Sequence, residues 1–272
     1  MPPGFFHGEL AQLARAFAWH AKGHGFDSHI LHIRVSVMAD TFFCFLSLIC
    51  FPFIIFGLIF CSVATYIQKL IEQGESQQLD FKFEISDSRK IARTLCAFAN
   101  TDGGILLIGV KDNGRIAGVK TDEEYYMAEA AARMYCRPEV PFITEKWTVE
   151  RKTVLEIRIP PGSDKPYYAL TDEGKWRAFL RIKDQNILAH PVWVKVWKRK
   201  SSPKGIIIRY SAEEKMLLSY LKENDYITLS KFTRIARLRR FEAENILANL
   251  IISEILGIEQ TEKQTHFFLK PL

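Results

Sequence analysis

Apolar residues recur at helical spacing over residues 89–100, where Ile91, Leu95 and Phe98 form one stripe, and the pair Gly103-Gly104 stops it. A helix is also expected to begin at residues 66–70, followed by a strand in which Asp80 and Lys82 share a face while Phe81 and Phe83 point to the core. Residues 105–110 are continuously apolar and predict a buried strand. Asp112-Asn113-Gly114 then reads as a tight turn, because Asn-Gly tolerates the positive φ that such a turn demands. This places Asp112 at the mouth of a hairpin. Residues 122–136 predict a helix with Tyr126, Met127, Ala130 and Met134 as its apolar stripe, ended by Pro138. Alternation around a turn over residues 147–159 predicts a hairpin, and residues 167–169 and 178–182 flank Asp172-Glu173-Gly174-Lys175 as another. Trp193 and Trp197, four apart, suit a closing helix.

The stretch from Lys198 to Gly205 is basic and rich in Ser, Pro and Gly, which marks a domain boundary. Beyond it the pattern is that of a winged helix-turn-helix. Ser211 caps a helix to about residue 223, with Glu214 completing a capping box. Residues 229–235 form a short second helix, and residues 241–256 a third that buries Ile246, Leu247, Leu250 and Ile251. Residues 257–269 form a wing that turns at Glu262-Lys263-Gln264. The expected fold class is therefore α+β: a mixed sheet with flanking helices over residues 65–200, followed by a winged helix domain over residues 201–272.

The first part of the chain has a different pattern. Residues 41–64, within a hydrophobic segment 38–64, are uncharged and rich in Phe, Ile, Leu and Cys, long enough to cross a bilayer. Residues 1–37 read as a non-native or disordered leader. Gly25-Phe26-Asp27-Ser28 and Ala11-Gln12-Leu13 decode as transfer-RNA T-arm and D-arm strings, at the spacing of those arms. Two readings follow. Either residues before Val63 are not part of the native protein and the rest is cytoplasmic, or the chain is a single-pass membrane protein with cytoplasmic C-terminal domains.

The net charge of +6 and pI near 9.0 point toward polyanions. Five cysteines without paired spacing give no disulfide scaffold or zinc motif. Five of the seven histidines fall before residue 33, so none clusters near the candidate chemistry.

That chemistry centres on acids and bases near the first strand. Asp80 and Lys82 on one strand face, with another acid nearby, can hold Mg²⁺ or Mn²⁺ and activate water for attack on a phosphodiester. The same residues also suit a solvated charged face without metal. Asn100, Thr101, Gly103 and Gly104 could offer backbone N–H groups to a phosphate such as that of ATP, or simply turn a helix into a strand. The chain has no Gly-x-x-x-x-Gly-Lys-Ser/Thr, so a P-loop lacks its lysine and hydroxyl. In the C-terminal part, Arg234, Arg237, Arg239 and Arg240 fall in the turn before the third helix, whose N-terminal end enters the major groove in helix-turn-helix proteins. Glu242 and Glu244 oppose them, and can instead serve the helix dipole in a dimerisation or protein-binding module. Lys198, Arg199 and Lys200 of the linker, with Arg181 and Lys183 on an alternating strand, extend the candidate nucleic-acid surface.

Glu75, the triplet Asp80-Phe81-Lys82, the run Ala97-Phe98-Ala99-Asn100-Thr101-Asp102-Gly103-Gly104 and Leu107-Ile108-Gly109-Val110 followed by Asp112 together resemble the Schlafen/AlbA-type domain, a family labelled divergent AAA or DNA-binding in bacteria. The resemblance spans about residues 66–196. Asp80 stands where the family usually has Glu. The resemblance implies that Glu75, Asp80 and Asp112 correspond to the three acids of an RNA-cleaving site in animal Schlafen nucleases, with Lys82 as electrostatic stabiliser. It also implies a basic residue of the last strand, at Arg181 or Lys183, close to that acidic pocket. The leading expectation is a nucleic-acid-binding regulatory protein, DNA favoured, with a second copy of the chain as a candidate partner and a membrane partner only if residues 41–64 are translated. The alternatives are a metal-dependent nuclease acting on RNA and an ATP-binding regulator.

Overall fold

The computed structural model describes residues 66–202 and 211–271. They belong to the compact unit Val63–Leu272. The expected leader, the hydrophobic run 41–64 and residues 203–205 of the linker lie outside the described residues. Among the described residues no helix is long and apolar enough to cross a membrane.

A helical segment over residues 66–73 leads into β1 (Leu79–Lys82), α1 (Ser88–Asn100) and β2 (Gly104–Ile108). The two strands are parallel, with Asp80 opposite Leu106, and α1 is the crossover that a parallel pair requires. Asp87 caps α1 by accepting the Arg89 N–H at 2.8 Å. The turn after β2 closes as expected, Lys111 and Gly114 hydrogen-bonding across it, and Gly114 supplies the positive φ of 78°. Next come α2 (Glu123–Met134), β3 (Cys136–Arg137), β4 (Ile143–Val149), β5 (Lys152–Ile159), β6 (Tyr168–Leu170), β7 (Trp176–Ile182) and β8 (Gln185–Leu188).

These strands form two four-stranded sheets. One is mixed, in the order β1-β2-β5-β4, and the other runs β3-β6-β7-β8 with antiparallel pairs. The helix α1 is buried between them, its Ile91, Leu95 and Phe98 packing with Leu106 and Ile108 of one sheet and Ala169 of the other. The opposite face of the mixed sheet buries Leu79, Phe81 and Leu107 against Ile67 of the leading helix. Consequently β1 is covered on both faces, and Asp80 is as buried as its apolar neighbours. Phe83, expected in the core, lies past the end of β1 and is exposed.

On α2 the expected stripe is corrected. Ala128, Ala131 and Ala132 are buried, whereas Tyr126 and Met134 are exposed. Alanines permit a close approach of α2 to α1 that larger side chains on that face would prevent.

α3 (Pro191–Lys200) follows, then α4 (Ala212–Glu223), α5 (Leu229–Ile235), α6 (Arg240–Ile252) and a hairpin of β9 (Leu256–Gln260) and β10 (Thr265–Leu269). Both halves of the expected capping box are made at Ser211 and Glu214. Ile227 exchanges backbone hydrogen bonds with Phe267 and so adds to the hairpin's edge. Relative to expectation α6 starts one residue earlier and ends at Ile252; Leu256 belongs to β9, and Ile246 is only half-buried. The helix α3 faces two ways. Val192 and Val196 pack in the C-terminal core with Phe232 and Leu247, while Trp197 packs with Ala178 and Leu180 of the second sheet. Thus the packing of α3 extends the C-terminal core back past residue 200, into the region expected to close the preceding domain.

Candidate functional site

The polar centre of the sheets is built around Asp80, 2% exposed, and Arg181 of β7, 1% exposed. Arg181 crosses from the second sheet to the edge of the first. Its Nη2 donates to Asp80 Oδ1 at 3.1 Å and to the Leu79 carbonyl at 3.2 Å, Nε to the Ser76 carbonyl at 3.3 Å, and Nη1 to Asn186 Oδ1 at 3.3 Å. The guanidinium carbon lies 5.2 Å from the Phe98 ring centroid. Asn186 in turn donates to Thr94 Oγ1 at 2.8 Å. The Gln77 side chain ties the approach to β1 onto the end of β7, donating to the Arg181 carbonyl and accepting from the Lys183 N–H. Such a buried charge persists only because its donors are nearly all matched, since an unpaired one would cost several kcal/mol.

The second oxygen of Asp80 faces Lys82 Nζ at 3.1 Å but completes no hydrogen bond. Glu75 stands beside this pair, 3.9 Å from Lys82 Nζ, and its Oε1 accepts the Phe81 N–H at 2.9 Å. Burial lifts the Glu75 carboxyl above its ordinary range and the adjoining Asp80 adds to the rise, while the Phe81 N–H and Lys82 oppose it. Glu75, Asp80 and Lys82 thus form a charged cluster at the edge of the mixed sheet, with Asp80 buried and the other two partly exposed.

Asp112 does not join them. It is exposed in the turn beyond β2, and among the described residues no three His, Cys, Asp or Glu side chains gather as a metal-binding group. Asp80 offers little to an ion, with one oxygen on Arg181 and the other facing Lys82. The donor set Glu75, Asp80 and Asp112 therefore does not fit a shared Mg²⁺ or Mn²⁺ in this geometry.

The glycine segment has structural duties. Asn100 donates to the Tyr167 and Phe179 carbonyls at 2.8 and 2.9 Å and accepts the Tyr167 N–H at 2.8 Å, so its amide is spent joining α1 to the second sheet. Thr101 ends α1, its hydroxyl on the Ala97 carbonyl at 2.8 Å. Gly103, at φ 74°, lies against β5 so closely that a Cβ would sit 2.6 Å from the Ile159 carbonyl oxygen. At Gly104 a Cβ would meet the Phe98 ring at 2.4 Å. This geometry supports the helix-to-strand turn and shows no cradle for a phosphate.

The candidate nucleic-acid residues separate by environment. Arg181 is corrected: a guanidinium sealed between two sheets cannot reach a phosphate. Arg199 is half-buried against α6, where it donates to Asn245 and Asn249, and its pKa is lowered by burial. Arg240 is exposed but bonds Glu244 Oε1 at 3.0 Å. Lys183, Lys198, Lys200, Arg234, Arg237 and Arg239 are exposed, Lys198 lying over the Tyr168 ring. Residues the sequence reading missed are Gln77, Thr94 and Asn186 in the buried network, and Lys195, Phe241, Asn245 and Asn249 between α3 and α6. The last set carried a signal: Lys195 and Arg199 are four apart, as are Asn245 and Asn249, the spacing of one helix face meeting another.

The family model described as Schlafen, AlbA_2 matches residues 75–190, the span that contains both sheets, α1 and α2. This part of the chain is a Schlafen AlbA_2 domain. Among solved structures, the DIP2311 protein from Corynebacterium diphtheriae is similar at 19% identity and a TM-score of 0.38, covering 65% of this chain and 32% of that one. This chain thus spans about a third of that protein's length. The N-terminal domain of a RecG-related protein from Nitrosomonas europaea is similar at 20% identity and a TM-score of 0.35, covering 53% of this chain and 95% of that one.

Proposed function

We propose that the chain is a nucleic-acid-binding regulatory protein, DNA favoured, in which α4, α5, α6 and the β9–β10 hairpin act as a winged helix beside the Schlafen AlbA_2 domain. The carrying observation is the exposure of Arg234, Arg237 and Arg239 around the turn between α5 and α6, none of them in an ion pair among the described residues. Free arginines lose little on meeting a phosphate, whereas Arg181 would have to break a buried pair. Lys198 and Lys200 at the end of α3 and a chain net charge of +6 favour the same polyanionic partner.

The nuclease reading needs Asp112 at the Glu75–Asp80 pair, and the ATP reading needs Gly103 or Gly104 open to a phosphate. The geometry lends support to neither. The test is fluorescence anisotropy of the full chain with labelled DNA over a salt series. The double variant Arg237→Ala, Arg239→Ala is expected to bind more weakly and to flatten the dependence of log K on log salt by about two units. A slope that matches the unaltered chain would remove those arginines from the interface.

A further inference from the structure

α3 packs along one side of α6 and engages the polar side chains there. Lys195 donates to Asn245 Oδ1 at 2.9 Å and to the Phe241 carbonyl at 3.3 Å, and pairs with Glu244 at 3.1 Å. Arg199 donates to Asn245 Oδ1 at 2.7 Å and to its carbonyl at 3.1 Å, and binds Asn249 Oδ1 as well. Asparagine is a side chain suited to reading adenine in the major groove, and both asparagines of α6 are engaged by α3. In the first turn Glu242, an acid that repels phosphate, caps the helix by accepting the Arg239 N–H at 3.0 Å.

What the first turn of α6 does present is an aromatic ring. Phe241 is 67% exposed, and Lys195 Nζ lies 3.8 Å from its centroid. Arg239 and Arg240 precede it directly, and Arg237 projects from the preceding turn at φ 52°. A large exposed ring beside two unpaired arginines, Arg237 and Arg239, suits a ligand that carries both a flat π-face and a negative backbone.

We propose that Phe241 is a stacking platform for an unpaired nucleotide base, with Lys195 holding one face of the ring and Arg237 and Arg239 drawing in the flanking phosphates. The nucleic acid held by this part of the chain is then single-stranded. A base inside a duplex hides both faces in the stack, whereas an unpaired base offers one to Phe241 whatever its identity. This inference rests on the nucleic-acid reading above and specifies its substrate.

Anisotropy with the full chain separates the two. The probes are oligothymidine, oligouridine and a DNA duplex of the same length at one salt concentration. The unaltered chain is expected to bind the single strands more tightly than the duplex, and the tighter single strand identifies the sugar it prefers. Phe241→Ala is expected to weaken single-strand binding at least about fivefold, the low end for one base–aromatic stack, while Phe241→Trp retains it. Because the ring is solvent-exposed, thermal melting of both variants should match the unaltered chain. If Phe241→Ala binds single strands as before while Arg237→Ala, Arg239→Ala binds weakly, the stacking platform is overturned and nucleic-acid binding stands. Absence of binding to all three probes overturns both.

Discussion

Arg181 and the pair Arg237, Arg239 show the same side chain put to opposite uses. Arg181 sits between two sheets at 1% exposure, its donors on Asp80, Leu79, Ser76 and Asn186. Arg237 and Arg239 stand in a surface turn with no ion pair among the described residues. The first is a strut that joins two sheets; the second pair makes no ion pair among the described residues and is where the proposed nucleic-acid contact would fall. In both places local sequence shows the same thing, a basic residue alternating with apolar ones. The difference comes from what covers the residue, since desolvation makes a guanidinium either a costly fixed partner or a free one.

Four variants test this contrast, and the largest effect belongs to the strut. Arg181→Met is expected to cost about 3–5 kcal/mol by denaturant unfolding, because it leaves Asp80 charged and buried with only Lys82 beside it. A loss within about 0.5 kcal/mol, the range of ordinary surface changes, would deny Arg181 that role. Gly104→Ala should cost about 1–3 kcal/mol, since its Cβ would press on the buried Phe98 ring that also supports Arg181.

A smaller effect, dependent on pH, is expected at Glu75. Its folded pKa is raised, so the unfolded chain releases this proton first and stability falls as pH rises from 4.5 through the folded value. Glu75→Gln removes that loss. Melting temperatures should show the variant more stable than the unaltered chain near neutral pH, with the advantage disappearing toward pH 4; an advantage that grows in acid would contradict the assigned direction. The smallest effect on stability is expected for Arg237→Ala, Arg239→Ala, within about 0.5 kcal/mol for surface residues without partners. Unfolding of that variant beside Arg181→Met would therefore separate the two arginine classes in one experiment, and a large loss in both would erase the distinction.

Much of the fold was legible because it is local. The stripe Ile91, Leu95, Phe98, the apolar strand after Gly104, the turn at Gly114 and the box at Ser211 and Glu214 are each set by residues within a few positions of one another. The motif around Ala97 to Gly104 was also legible, and its family is the one that matches residues 75–190. On α2 the pattern misled, because Tyr126 and Met134 are more hydrophobic than the alanines that the close approach to α1 selects.

Sequence alone determined the elements, the acidic-Phe-Lys signature and the basic run before α6, all of which depend on composition and spacing along the chain. Tertiary structure alone decided which charges are internal. Asp80 and Arg181 are 101 positions apart and meet because α1 separates two sheets whose edges converge there. Asp112, though at the end of the strand beside β1, remains in a solvated turn and does not complete a group with Glu75 and Asp80. The asparagines of α6 are engaged because α3 packs on them from some 46–50 positions away. Burial and partner geometry are sums over the whole packed chain, and they determine whether a charged side chain is a strut or a surface for a ligand.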